Sequence, residues 1–386
     1  MRICIEANFS LNLIDTQDFK MTSSYVLPHE TTRKLNELVE SIETSPLSKV
    51  RPGELDPPDE PLNINAVIGD LPTGLNENDL VGIISLSMLT ECATDSYAEV
   101  FLDAAKHHSA PWLGRFTSNT WVPDEYNHTN PFKAMLLDMG FSEQELDASI
   151  KETLEKTYVH TTGKSPVELT TFGMIQEYLT DHWYGMLAKL IKRRAPQAAL
   201  LATKVKRRET LHYVWYKEMS CIQVESDPGL LPLVAESVTS FTMPGGSLVP
   251  EYQNHVLQWM AGAGADLNYN AQQMVKHLFD IAGNSSRAGK LLTDVAISAG
   301  LNIGPVKAAH IQGLIEKLGG RGYELLGEAV LESVGLPIAS HNQTSQNRRI
   351  LGTVPTPNAL YEKFRSKIRK SIANRIDLST VHGGSF

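Results

Sequence analysis

The chain has 386 residues, 42% of them hydrophobic and 20% charged, a composition that supports a large apolar core. Its net charge of −9 argues against general nucleic-acid binding. No apolar run reaches the roughly 18 residues of a transmembrane helix, and the segment MRICIEANFS shows no secretory signal. The three cysteines are far apart and odd in number, which favours a reducing, cytoplasmic compartment.

Helical periodicity dominates the chain. A short amphipathic helix from Thr31 to Ile42 is followed by a loop rich in Pro, Gly, Asp and Asn. Four stretches without internal proline follow, each with apolar residues three and four positions apart, as in amphipathic helices. They span about 78–107, 122–140, 166–194 and 197–222. No alternating pattern predicts a strand, so we predict an all-α fold.

The connections between these helices differ in length. Only residues 194–197, with Pro196, separate the third helix from the fourth, so these two must lie antiparallel. Residues 141–165 join the second to the third and contain a helical segment, Ser142–Lys156. One long connection of this kind is typical of ferritin-like bundles.

These features predict a chain in four parts. Residues 1–77 form an N-terminal arm with a short helix, and residues 78–225 form a four-helix bundle. Residues 226–338 form additional helices packed on the bundle. Residues 339–386 form a polar, flexible segment followed by a basic C-terminal helix.

Two motifs of the form Glu-x-x-His lie about 80 residues apart. Residues three positions apart share a helix face, so each motif directs a carboxylate and an imidazole to one point. Two isolated glutamates alternate with the motifs along the chain. In order, the six residues are Glu91, Glu125, His128, Glu177, Glu209 and His212.

Chance and surface exposure are the simpler explanations of these motifs, because Glu and His at helical spacing often form a solvated face. Glu91 and Glu177 argue against that explanation, since both have apolar neighbours, in SMLTECA and GMIQEYL. Buried, unpaired carboxylates are costly, so four of them on core faces predict a bound cation. Mixed carboxylate and imidazole donors suit ferrous iron.

The motifs and their neighbours resemble the soluble acyl-acyl-carrier-protein desaturases. The similarity lies in TECATDSY from Thr90, WVPDEYNH from Trp121, FGMIQEYLT from Phe172 and RETLH from Arg208. It is fainter elsewhere between about residues 30 and 335. The stretch Pro250–Ser286 is longer than in plant members, which indicates a bacterial branch.

The resemblance implies a ferritin-like four-helix di-iron bundle with additional helices. It implies two iron ions, dioxygen, electrons from a ferredoxin-type donor, an acyl chain on acyl carrier protein, and a homodimer. The product would be an alkene. In the implied ligand set, Glu125 and Glu209 bridge the irons, Glu91 and His128 hold one, and Glu177 and His212 hold the other.

Three further residues take roles by the resemblance. Thr180 would face bound oxygen and help to deliver protons, unless its hydroxyl bonds its own helix backbone. Trp121 would carry electrons or pack below the site. Arg208 replaces a family acid that can support a ligand histidine, so we expect this support to differ, and the electron route with it.

Basic residues at the end of the third helix form a candidate docking surface, because carrier proteins are acidic. A solvated helix end, with cations favoured by the helix dipole, is the alternative. We expect the neighbouring pair His107 and His108 to be exposed and too far from Glu91 to join the site. The docking residues are Lys189, Lys192, Arg193 and Arg194.

Other functions stay open. A di-iron N-oxygenase or arylamine-type oxygenase would add a histidine where this chain has Val205. A ferritin-like iron-storage or ferroxidase protein is usually far shorter, and a helical scaffold without metal would not need all six donors. The sequence does not determine acyl chain length, position of attack, desaturation versus hydroxylation, or a protein versus coenzyme A carrier.

Overall fold

The computed structural model describes residues 25–253, 255–265 and 267–298, where every regular element is helical and no strand occurs. No helix in these ranges is long and apolar enough to cross a membrane. The first helices are α1 (His29–Thr44), α2 (Glu77–Glu91), α3 (Thr94–His107), α4 (Pro111–Phe116), α5 (Val122–Glu125), α6 (Thr129–Asp138) and α7 (Glu143–Leu154). They are followed by α8 (Pro166–Ile191), α9 (Pro196–Ser226), α10 (Leu231–Thr239), α11 (Gly245–Leu248), α12 (Val256–Gly262), α13 (Leu267–Ala282) and α14 (Ser285–Ser298).

The longest helices begin where the sequence predicts them. At the start of α8, the Ser165 hydroxyl accepts from the Glu168 backbone N–H, and the Glu168 carboxylate accepts from the Ser165 backbone N–H. This reciprocal cap satisfies backbone donors that the first helical turn leaves free. Pro166 fits the first turn because proline has no backbone N–H that would need a partner. Pro196 has the same place in α9. The predicted helix in the 141–165 connection is confirmed as α7.

The prediction of one helix over 78–107 is wrong, because the helix is interrupted at Cys92 and Ala93, between α2 and α3. Side-chain hydroxyls donate hydrogen bonds to backbone carbonyls next to this interruption. Thr94 donates to the Glu91 carbonyl at 3.1 Å, and Tyr97 donates to the Thr90 carbonyl at 2.9 Å. Such bonds compensate for the lost helix ladder. Glu91 is therefore the last residue of α2.

The helix predicted over 122–140 also differs. Its helical run begins earlier, at Pro111, and passes through a π-helical turn at Thr117–Trp121 before α5. A π-helical turn shifts the register of the residues that follow it. The run is interrupted at 126–128, so Glu125 ends α5 and His128 precedes α6. Because Tyr126 and His128 keep right-handed helical backbone angles, the same-face spacing of the motif survives.

Four of the helices contact one another in a closed ring. α2 packs on α6, α6 on α9, α9 on α8, and α8 on α2. The short link at 192–195 returns the chain along α8, in agreement with the predicted antiparallel pair. Around the ring, α1 packs on α9, α10 packs on α8, and α13 packs on α9. The boundaries of the four predicted parts stay predictions, and residues 339–386 lie outside the described ranges.

Gly173 lets α8 approach Tyr216 of α9 closely. A Cβ at Gly173 would lie 2.8 Å from carbons of the Tyr216 ring, which is itself fully buried. We expect Gly173→Ala to lower the free energy of unfolding by about 1–3 kcal/mol, because overpacking outweighs the better helix propensity of alanine. Chemical denaturation of the metal-free protein measures this change.

Gly185 provides a matched control on the same helix. A Cβ there would meet only the flexible end of Lys206, at 3.0 Å. We expect Gly185→Ala to be neutral or stabilising. Equal losses of stability at the two glycines would contradict the overpacking explanation.

Candidate metal centre

The structure brings all six predicted ligands together in the interior, where each is buried. They form two groups in which the possible ligand atoms lie within 4.8 Å of one another, so each group could hold a metal ion. Glu125 and Glu209 belong to both groups and are called the shared glutamates below. The groups are Glu91, Glu125, His128 and Glu209, and Glu125, Glu177, Glu209 and His212.

The two halves of the centre come from different kinds of backbone. Glu177 lies inside the long helix α8. Inside the long helix α9, the 3.6-residue period places Glu209 and His212 on one face. Glu91 and Glu125 are the last residues of α2 and α5. One half of the centre is therefore built on continuous helices and the other at helix ends.

Each shared glutamate turns one oxygen toward each histidine. His128 Nδ1 lies 2.8 Å from Glu209 Oε1 and 3.2 Å from Glu125 Oε2. His212 Nδ1 lies 2.7 Å from Glu125 Oε1 and 3.7 Å from Glu209 Oε2. The imidazole rings are nearly parallel, with centroids 5.7 Å apart. Two carboxylates that each offer an oxygen to both sides are suited to bridge two cations.

The unshared glutamates, Glu91 and Glu177, lie at opposite ends of this arrangement. Glu91 Oε2 is 3.6 Å from His128 Nδ1, and Glu177 Oε2 is 4.0 Å from His212 Nδ1. Each end thus combines one imidazole, one unshared carboxylate and one oxygen from each shared glutamate. The division of the six residues that the family resemblance implies stays a prediction, with these two groups as its geometric basis.

Several oxygen and nitrogen atoms that could bind a metal make no hydrogen bond within the described residues, although they lie close together. They include Glu125 Oε1, both oxygens of Glu209, and Nδ1 of both histidines. Buried polar atoms rarely stay unpaired, because each unpaired one costs free energy. Convergent carboxylate and imidazole lone pairs suit divalent transition-metal ions. The residues present therefore fit a pair of such ions.

Burial and mutual charge shift the proton affinities of the glutamates. Burial and the charge of Glu209 raise the pKa of Glu91 well above its ordinary value. Burial and the charge of Glu125 do the same to the pKa of Glu177. Burial also opposes ionisation of the shared glutamates, but the adjacent imidazoles outweigh it and lower the pKa of both. Protons therefore collect on the unshared glutamates in the metal-free protein.

The two histidines are also proton acceptors in the metal-free protein. Burial opposes their charge, but the surrounding carboxylates, led by Glu125, raise the pKa of His128 and of His212 well above the ordinary value. These shifts favour protons on the imidazoles and on the unshared glutamates, and they favour ionised shared glutamates.

Two aromatic side chains hold the unshared glutamates. Trp121 Nε1 donates to Glu177 Oε1 at 3.0 Å, so this residue contacts a candidate ligand directly and does more than pack below it. The Tyr184 hydroxyl donates to Glu91 Oε1, a contact that the sequence analysis missed. Tyr184 lies seven residues after Glu177, two turns along the same face of α8, and this spacing was the available signal.

Asp124 and Arg208, the residues before the two shared glutamates, form a buried ion pair. Arg208 Nε donates to both Asp124 oxygens, at 2.9 and 3.0 Å, and Arg208 Nη1 donates to the Leu47 carbonyl at 2.7 Å. Asp124 Oδ2 lies 2.7 Å from His212 Nε2. The acid that supports His212 therefore comes from the other motif.

Thr180 is buried, but its hydroxyl bonds its own helix. It donates to the backbone carbonyls of Gln176 and Glu177, at 3.2 and 3.0 Å. This is the structural alternative that the sequence analysis left open. A role for Thr180 in proton delivery would require its hydroxyl to leave these partners.

The basic residues predicted to dock a carrier are all exposed. Arg193 and Arg194 pair with Asp70, at the end of a 3₁₀ helix, and Arg194 lowers the pKa of that carboxyl. Lys189 and Lys192 extend the same end of α8. The expectation that His107 and His108 are exposed is wrong for His108, which is buried and accepts the Tyr25 backbone N–H at 3.1 Å.

No protein-family model and no curated protein matches this chain.

Proposed function

We propose that this protein is a di-iron, dioxygen-dependent desaturase acting on a fatty acyl chain held by acyl carrier protein, within a ferritin-like four-helix bundle. The observation that carries the proposal is the pair of overlapping donor groups with two shared glutamates. The closed ring of α2, α6, α9 and α8 supports the bundle, because such proteins build their metal site from facing helices. When bound, two ferrous ions supplied with electrons by a ferredoxin-type donor provide the dioxygen chemistry for attack on an unactivated C–H bond.

The chain's own residues have distinct tasks in this proposal. Glu125 and Glu209 would bridge the ions, and one histidine with one unshared glutamate would complete each position. Tyr184 and Trp121 hold the unshared glutamates through hydrogen bonds. Burial of all six donors keeps water from competing for the ligands.

The partners are proposed from surface charge and from the family resemblance. Lys189 and Lys192 are exposed at the end of α8, where the helix dipole adds negative potential that cations offset. An acidic carrier would contact these residues together with Arg193 and Arg194. The two arginines would then leave their ion pairs with Asp70 and pair with acidic groups of the carrier. A homodimer in the cytoplasm completes the proposal.

Product analysis tests the reaction. Iron-loaded protein, a reductase, ferredoxin and acyl carrier proteins charged with saturated chains of several lengths should yield an alkene, detected by mass spectrometry after release of the acyl chain. Glu125→Ala, which lacks a shared donor, should yield none. A hydroxylated acyl chain as the product would show that the protein is a hydroxylase and not a desaturase. Iron-loaded protein that consumes no dioxygen with any chain, on carrier protein or coenzyme A, would overturn the proposal.

A further inference from the structure

The centre is nearly symmetric in its six donors but not in the residues that support them. Asp124 and Arg208 hold equivalent positions, each directly before a shared glutamate. Asp124 reaches across to Nε2 of His212, in the other motif. Arg208 turns to Asp124 and the Leu47 carbonyl instead, and His128 Nε2 has no hydrogen-bond partner within the described residues. His212 thus has a hydrogen-bond partner at Nε2, whereas His128 has none at Nε2 within the described residues.

A carboxylate at Nε2 has a defined effect on a ligand histidine. It selects the tautomer with the proton on Nε2, which leaves the Nδ1 lone pair free for a metal, and it fixes the ring. Arg208 fixes the carboxylate in turn, because its Nε donates to both Asp124 oxygens and its Nη2 lies 2.8 Å from Oδ2. Since the charges of Asp124 and Arg208 offset each other, their net effect at His212 is one of orientation. Loss of such support typically costs about 10- to 100-fold in metal affinity.

We propose that the two metal positions are unequal: the position of His212 and Glu177 fills first, and Asp124, held by Arg208, is the positioning residue that makes it the tighter one. The position of His128 and Glu91 fills second, because its histidine lacks this support and its glutamate lies at a helix end. The inference rests on the metal centre of the proposed function but not on its substrate or reaction.

Equilibrium titration with Co²⁺ alone, followed by visible absorption and calorimetry under anaerobic conditions, tests the inequality. We expect two resolved steps that differ about 10- to 100-fold in affinity. His212→Ala should remove the tighter step, and His128→Ala should remove the weaker one. Two steps of equal affinity, or loss of the tighter step in His128→Ala, would overturn the inference. No binding at all would instead overturn the metal centre of the proposed function.

Asp124→Asn tests the positioning role. It should weaken the tighter step about 10- to 100-fold and leave the weaker step unchanged, with the two steps merging. Asp181→Asn is the matched control, because Asp181 is also buried and paired, with Lys206 at 2.8 Å, but supports no ligand histidine. A purely structural ion pair would lower unfolding stability in both variants without changing either binding step, and that result would overturn the role of Asp124.

Discussion

Replacing Glu125 with alanine should abolish ferrous binding at both positions, whereas replacing Glu91 should remove one ion. Glu125 offers one oxygen to each histidine side, while Glu91 belongs to a single donor group. Each position has four donors in the unchanged protein, so loss of Glu125 leaves three donors at both positions, whereas loss of Glu91 leaves three at one position and four at the other. Anaerobic loading, gel filtration and metal analysis should give about two irons per chain in the unchanged protein, about one in Glu91→Ala, and almost none in Glu125→Ala.

Glu218→Ala is the control for this series, because Glu218 is an exposed glutamate on α9, the helix that carries Glu209. It should load as much iron as the unchanged protein. Circular dichroism checks that each variant keeps its helices. Equal iron loss in Glu125→Ala and Glu91→Ala would contradict the sharing of Glu125, and an unchanged protein that binds almost no iron would contradict the centre itself.

Filling both positions should release about four protons per chain near neutral pH. In the metal-free protein, the raised pKa values of Glu91 and Glu177 favour protonated carboxyls, and those of His128 and His212 favour charged imidazoles. Metal ligands bind deprotonated, so all four protons must leave. As pH falls, protons compete more strongly, so the combined affinity for two ions should drop steeply, by up to about ten-thousandfold per pH unit when all four groups hold a proton.

Proton release can be measured by calorimetry in buffers of different ionisation enthalpy, with Co²⁺ as the titrant. The double variant Glu91→Gln, Glu177→Gln is the control, because its amides carry no titratable proton. Each glutamine keeps a neutral oxygen donor, so at Co²⁺ concentrations high enough to fill both positions this variant should release only about two protons, both from the imidazoles. Metal binding with no proton release in the unchanged protein would contradict the protonation inferred for the centre.

Helix identity was predictable because it depends on local spacing. The cap at Ser165, the proline in the first turn of α9 and the apolar period of α8 and α9 are properties of neighbouring residues. The break after Glu91 was not predictable, because apolar periodicity continues across Cys92 and Ala93. The hydroxyls of Thr94 and Tyr97 stabilise the break, and nothing in their spacing distinguishes them from ordinary helix residues.

The sequence by itself determined the helical class and the six candidate donors, since a carboxylate and an imidazole three residues apart share a helix face wherever the helix lies. Only the tertiary structure decided how the donors overlap and what supports them. The bonds of Tyr184 to Glu91, Trp121 to Glu177 and Asp124 to His212 join residues 93, 56 and 88 positions apart. Such contacts depend on how helices pack, and a local pattern contains no information about packing across that distance.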